Sequence, residues 1–351
     1  MKFISILLFP FALLYDLATR FRNHLYNIGY KRSFEFEVNT IAVGNLSVGG
    51  TGKSPMIEYL IRLLKDDFKV ATLSRGYGRT TKGFRLAGEE DNAITLGDEP
   101  FQFYRKFKEQ IRVAVGAERA LAIPFMLAEN DDIEVILLDD AYQHRSVKAG
   151  VNILLTDYSR LFYKDCILPS GRLRESGNGA KRADVIIVTK CPHNLGESDM
   201  KSIKIQLEKY NANAPIFFTG IQYGNLKPCF KTGNPIEMPN KLYLFTGVAN
   251  PRPLHNHLKD QFILTDEKIF ADHHQYSESD IRKLADEIKK DHSGMTGLVT
   301  TEKDMVKFLK RDFRNILENL PVYYVPIETC FLQDGKLFDD LILKSIRQYS
   351  N

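Results

Sequence analysis

The sequence predicts an α/β protein: a P-loop NTPase-like, mostly parallel sheet flanked by helices, preceded by an N-terminal membrane-interface helix and accompanied by a second, smaller α/β domain. Three observations predict it. A glycine-rich, lysine-bearing loop, "NLSVGGTGKSP" (45–55), lies between an apolar strand-like run and an apolar helix-like run. Short β-branched runs alternate with amphipathic segments through the first 220 residues. The chain also opens on a basic, apolar leader. Its 351 residues, 44% of them hydrophobic, are enough for two cores, and the domains expected are 1–30, 31–220, a connection over 221–240, and 241–351.

The leader holds five basic residues against Asp16 alone, so the whole net charge of +4 sits there and the body is balanced. A balanced body argues against a nucleic-acid partner, which needs a basic face on the folded domain. The apolar run from Phe3 to Tyr15 is shorter than the ~20 residues of a spanning helix, and Pro10 interrupts it. No small-x-small cleavage site follows, as a secretory signal requires. Leu13, Leu14, Leu17, Ala18, Phe21 and Leu25 recur at helical spacing beside Arg20 and Arg22. That pattern fits a helix on an anionic membrane surface better than one packed on its own domain. Four cysteines without a CxxC pair indicate neither a disulfide framework nor a zinc site, and fit a reducing compartment.

Strands are expected at "TIAVGN" (40–45), "KVATLSRG" (69–76), "IRVAVG" (111–116), "IEVILLDD" (133–140), "VNILLTD" (151–157), "ADVIIVTK" (183–190) and "APIFFTG" (214–220). Most are continuously apolar, as strands covered on both faces are. In "PMIEYLIRLLKDD" Met56, Tyr59, Leu60, Leu63 and Leu64 share one helical face. Residues 221–240 are rich in Gly, Pro and Asn and read as a connection or a ribbon. Beyond them "KLYLFTG", "TGLVTT" and "VYYVPI" read as strands, and "SESDIRKLADEIKKDHS" as a helix capped by Ser277 or Ser279.

In the loop, Gly52, Lys53 and Ser54 supply the end of the GxxxxGK[ST] pattern, while Ser47 replaces its first glycine. Ser47, Val48, Gly49, Gly50, Thr51, Gly52, Lys53 and Ser54 are the expected phosphate cradle: backbone N–H groups face the phosphates, Lys53 reaches the β/γ oxygens and Ser54 meets Mg²⁺. Asp139 and Asp140, ending a buried strand, are the candidate metal carboxylates, in either order. "VTKCP" has Thr189 and Lys190 but Pro192 where a guanine-reading aspartate belongs, so ATP is the expected nucleotide.

Further stretches are more specific. "GDEPFQFYRKF", "LDDAYQHRSV", "LPSGRLRES", "FADHHQYSESD" and "VTTEKDMVKF", taken with the P-loop, "LSRGYGR" and the leader, form an ordered set up to about residue 310. This set resembles the tetraacyldisaccharide 4′-kinase family of lipid A biosynthesis. The resemblance implies transfer of the ATP γ-phosphate to a tetraacyl glucosamine disaccharide 1-phosphate, a lipid acceptor, at the cytoplasmic face of the bacterial inner membrane. It implies that Asp98 accepts or orients the acceptor's proton and that His273 pairs with it, with His274 the adjacent alternative. Glu99 is a further metal or water contact. Gln143 and His144 then face the acceptor or γ-phosphate. Arg119, Arg172, Arg174 and Glu175 are phosphate- or metal-facing groups, and Tyr77 lies near substrate. A monomer is the working assembly. The competing readings are a nucleotide-switched binding protein and a soluble small-molecule kinase.

Overall fold

The computed structural model describes residues 6–230, 238–272, 274–290, 296–309 and 311–349. Its strands are β1 Asn39–Asn45, β2 Val70–Ser74, β3 Arg85–Leu86, β4 Arg112–Val115, β5 Val135–Asp139, β6 Val151–Asp157, β7 Val185–Thr189 and β8 Ile216–Tyr223, followed by β9 Lys227–Pro228, β10 Lys241–Thr246, β11 Ile263–Ile269, β12 Thr296–Thr301, β13 Val322–Val325 and β14 Ile327–Phe331. Six helices matter below: α1 Phe9–Asn27, α2 Lys53–Leu64, α3 Asp98–Phe107, α4 Arg119–Glu129, α5 Glu278–Lys289 and α6 Gly335–Tyr349.

The large sheet runs β14-β8-β7-β6-β1-β5-β2-β4-β3, parallel except at its two edge strands. All seven strands expected in the first 220 residues are in it. β1 is buried along its whole length because β5 flanks it on one side and β6 on the other. The chain order reverses there, and such a switch point opens a crevice at the carboxyl ends of the strands. The register pairs Val43 with Asp139, which sets the acidic strand end beside the start of the P-loop.

α2 packs Met56, Leu60 and Leu64 into the main core, all fully buried. In α1 the outcome is the reverse. Leu13, Leu14, Leu17 and Phe21 are each more than half exposed, while Arg22 and Asn23 turn toward the body and hydrogen-bond to it. Pro10 falls in the first turn of this helix, where its missing N–H costs nothing, and a turn at Leu8 separates the helix from the helical residues before it. Among the described helices none is long and apolar enough to cross a membrane.

The small sheet, β11-β10-β12-β13-β9, is parallel except at β9. "VYYVPI" is split rather than forming one strand: β13 lies in the small sheet between β12 and β9, and β14 pairs antiparallel with β8 of the large one. Pro326, which has no N–H to donate, separates them. The expectation that 241–351 forms one C-terminal unit is therefore corrected, because from Ile327 on the chain is back in the large sheet. Phe338, Ile342 and Ile346 of α6 enter the main core, and the Tyr59 hydroxyl donates to Asp339 Oδ1 at 2.8 Å. Ser277, not Ser279, caps α5, in a reciprocal pair with Asp280.

α3 belongs to both cores. Its Phe103 and Phe107 pack in the main core, whereas Phe101 packs with Phe245, Tyr276 and Phe308 of the small-sheet unit. Because Phe338 is fully buried against Phe217 and Phe331 at ring-centroid distances of 5.4 and 4.8 Å, Phe338→Ala should destabilise the large-sheet unit. The expected loss in denaturant unfolding is about 3–5 kcal/mol. A loss under about 1 kcal/mol, the range of surface substitutions, would show that α6 is not part of that core.

Candidate functional site

The P-loop turns through Gly49 (φ +109°) and Gly52 (φ +81°), a region that glycine reaches without the strain other residues incur. Ser47 has no positive φ, so serine is tolerated at the first glycine position of the pattern. It sits instead in a β-bridge to Leu173, and the Val48 N–H donates to the Arg172 carbonyl at 2.8 Å. The "SGRLRES" segment thus runs alongside the entering half of the loop. The leaving half is held by the end of β7. Thr189 Oγ1 donates to the Thr51 carbonyl at 2.9 Å, and Lys190 Nζ bonds the Gly50 carbonyl and the Asp157 carboxylate. The stretch that fails as a guanine-reading motif is a brace for the phosphate loop.

Lys53 opens α2, and its Nζ lies 3.4 Å from Asp140 Oδ1. Arg174 Nη1 donates to both oxygens of the same carboxylate at 3.1 and 3.0 Å. Burial opposes ionisation of Asp140, but Lys53 and Arg174 outweigh it and hold the carboxyl below its usual range. Asp140 also has φ +47°, a sparsely populated conformation for a non-glycine residue, of the kind concentrated at functional sites. Asp139 is almost fully buried. Its Oδ2 accepts from Ser74 Oγ at 3.3 Å, while its Oδ1 has no protein partner. Burial first, and then the negative charge of Glu99, push its pKa up. Glu99 therefore acts on the same space as the acidic pair.

Arg119, at the start of α4, is completely buried. It donates to the carbonyls of Gly116 and Asp139, so it meets the acidic pair through the main chain. Burial lowers its pKa to about 10. Gln143 spans the centre: its amide nitrogen donates to the Asn45 carbonyl and Glu175 Oε1 at 2.9 and 3.0 Å, and its oxygen accepts from Arg174 at 3.2 Å. Glu175 is also bonded by Asn23 of α1 at 2.8 Å and by Arg182 at 2.8 Å. One chain of contacts thus joins α1 to Lys53 through Glu175, Gln143, Arg174 and Asp140. Arg172 reaches toward Gly49, its Nη1 being 3.8 Å from the place a Cβ there would occupy. Tyr77 is largely exposed, on a loop whose main chain abuts Gly97.

Asp98 begins α3, buried, with Oδ2 3.5 Å from Lys307 Nζ. His273 lies outside the described residues. His274 Nε2 is 3.2 Å from Asp280 Oδ2 and its ring stacks on Phe270, so it belongs to the cap of α5. Sequence reasoning gave no role to Lys307, Asp304 or Glu302, although "VTTEKDMVKF" contains all three; nor to Asn23 or Glu58, which carry no local pattern. Among the described residues no three His, Cys, Asp or Glu side chains cluster as a ready-made metal cage.

A family model described as tetraacyldisaccharide-1-P 4′-kinase matches residues 4–347. The chain belongs to that family. Tetraacyldisaccharide 4′-kinases are similar to it along their whole length: that of Flavobacterium johnsoniae is 45% identical over 353 residues, 99% of each chain. That of Porphyromonas gingivalis is 37% identical over 348 residues, 96% of each. The crystal structure of the Aquifex aeolicus LpxK in complex with ATP matches with a TM-score of 0.75 at 26% identity, covering 98% of this chain and 99% of that one. The P-loop, mostly parallel sheet and ATP-bound relative all belong to a kinase fold, and as a member of the tetraacyldisaccharide-1-P 4′-kinase family the chain is an enzyme of the kinase class.

His144, beside this site, supplies a test of its electrostatics. Burial first, and the Arg119 charge next, push its pKa down to about 4. Between that value and its ordinary ~6.5 the unfolded chain binds the proton and the folded one does not. Stability should therefore be complete above pH ~6.5 and fall as pH drops toward ~4. Denaturant midpoints taken against pH should show a shallower fall in His144→Gln; equal slopes in the two proteins would refute the assignment.

Proposed function

We propose that this protein transfers the γ-phosphate of ATP to the 4′-hydroxyl of a tetraacyl glucosamine disaccharide 1-phosphate, working from the cytoplasmic face of the inner membrane. The observation that carries the reading is the junction of a P-loop lysine with a helix that turns its apolar side outward. Asn23 of α1 and Lys53 of the P-loop are ends of one hydrogen-bonded and ion-paired chain. The acceptor's acyl chains and its reacting hydroxyl would be served by two ends of one structure.

In this reading the N–H groups at the start of α2 and the Lys53 ammonium hold the β- and γ-phosphates. The donors present suit Mg²⁺: Asp139 Oδ1 is a buried carboxylate oxygen with no protein partner, and Ser54, Asp140 and Glu99 add the hard oxygens such an ion prefers. When bound, Mg²⁺ neutralises charge on the transferring phosphate. Asp98 orients the acceptor hydroxyl and takes its proton as the new P–O bond forms and the ADP oxygen leaves. A loose transition state makes that positioning matter more than base strength. Gln143, His144, Arg172, Glu175 and Tyr77 surround the acceptor's approach, and Arg119 stiffens the strand end that carries the carboxylates.

Label from γ-labelled ATP should appear in the lipid in mixed micelles. Lys53→Ala and Asp98→Ala should each lower transfer by about 10²–10⁴-fold, with nucleotide binding retained in the latter. ATP hydrolysis without labelled lipid would direct the search to another acceptor.

The exposed Leu14, Leu17 and Phe21 are each worth about 1.5–3 kcal/mol when taken out of water. Replacing all three by Asp should weaken cosedimentation with anionic vesicles by at least about a hundredfold. Unchanged vesicle binding and full transfer activity would instead favour a soluble kinase.

A further inference from the structure

Lys307 is a buried cation between two carboxylates that come from different units. Its side chain is 3% exposed. Its ammonium meets three oxygens: Asp304 Oδ1 at 3.2 Å, the His274 carbonyl at 3.2 Å and Asp98 Oδ2 at 3.5 Å. Three acceptors match the three N–H donors of a lysine. Asp304 is itself immobilised. It is fully buried, and its Oδ2 accepts from Thr246 Oγ1, the Gly247 N–H and Thr301 Oγ1 at 2.8–2.9 Å. The small-sheet unit thus fixes the ammonium, and the ammonium faces the first residue of α3. The same helix face is tied twice more across the boundary: Lys303 Nζ is 3.8 Å from Glu99, and Lys106 bridges Glu58 and Glu302, both at 2.7 Å.

We propose that Lys307 is a positioning residue for phosphoryl transfer: held by Asp304, it fixes the Asp98 carboxylate in its reactive orientation, so that a group of the small-sheet unit completes the site on the large one. The inference rests on the reading of Asp98 as the group that orients the acceptor hydroxyl. A lone structural ion pair would also be buried and would also cost stability when broken, so stability cannot separate the two roles. Coupling to Asp98 can.

The test uses full-length protein, label transfer to the tetraacyl disaccharide 1-phosphate, and thermal melting of every variant. Lys307→Met should lower kcat by about a hundredfold while KM for ATP stays within about twofold. Lys307→Arg, which keeps the charge in a different shape, should recover about tenfold of that loss. In an Asp98→Asn background, Lys307→Met should cost less than about threefold further, because the residue it acts through is already disabled. If the Met variant does not fold, Lys307→Arg takes its place in the cycle: about tenfold lower kcat alone, and less than about twofold in the Asp98→Asn background. Equal losses in both backgrounds, or an unaltered kcat, would overturn the proposal. The Asp98 reading fails separately, and the proposal with it, if Asp98→Asn alone keeps the kcat of the unmodified protein.

Discussion

The rest of the structure depends on α3 being shared. A ten-residue helix can bury one face cheaply, but here Phe103 and Phe107 bind it to the main core while Phe101 binds it to the other. Its first residues, Asp98 and Glu99, therefore cannot move with one unit alone. Polar contacts follow the same division. Glu58 of α2 receives Gln102 and Lys106 from α3, and Lys106 reaches on to Glu302. Burial presses Glu302 toward protonation, as does the nearby Glu58 charge, and Lys106 opposes both. An ion pair of this kind is weak evidence for stability, since desolvation cancels much of its attraction, but it specifies registry well. The boundary between the units is thus apolar at Phe101 and charge-matched around it.

A second constraint concerns where α1 puts its charge. A surface helix of a globular protein normally turns apolar residues in and polar ones out. α1 does the opposite because the body offers it carbonyls and carboxylates instead of an apolar groove. Arg22 donates to the Gln143 carbonyl and Asn23 to Glu175, and Arg145 bonds the Asn23 carbonyl and Asn27. The helix is held by directional bonds on one side, and its leucines and phenylalanine are exposed on the other.

Most of the large sheet was legible because continuous burial leaves a plain mark: short β-branched, apolar runs separated by amphipathic segments. The elements that were missed lack that mark. β14 begins one residue after a proline in a run that looks like a single strand, and no local rule says that its two halves pair with different sheets. α6 is amphipathic, but it can only be assigned to the main core once β14 is seen beside β8. In the site, the strand-loop-helix setting of the glycine-rich loop and the strand-end position of the acidic pair were legible, since each is made by consecutive residues. Lys307, Asp304 and Asn23 were not, because the contacts to Asp98, Thr246 and Glu175 that tie them to the rest of the molecule each span more than fifty positions, and a lysine in "EKDMVKF" carries no sign of burial. In "VTKCP" Pro192 was enough to exclude guanine reading, but the role of the stretch was not legible. Nothing in its residue types shows that Thr189 and Lys190 brace the loop.

The arrangement around Asp140 shows how these pieces work as one site. In the proposed reaction Lys53 serves the nucleotide's phosphates, yet here it also lies against a carboxylate. A carboxylate stripped of its only counterion in a partly buried place would be costly. Arg174 removes that difficulty. It holds both oxygens of Asp140 and is itself fixed through Gln143, so Asp140 stays compensated whichever partner Lys53 takes. Lys53 can then turn to phosphate without stranding a charge behind it. Because Gln143 is fixed in turn by Glu175, and Glu175 by Asn23 of α1, the surroundings of Lys53 are tied to the seating of the helix that faces outward.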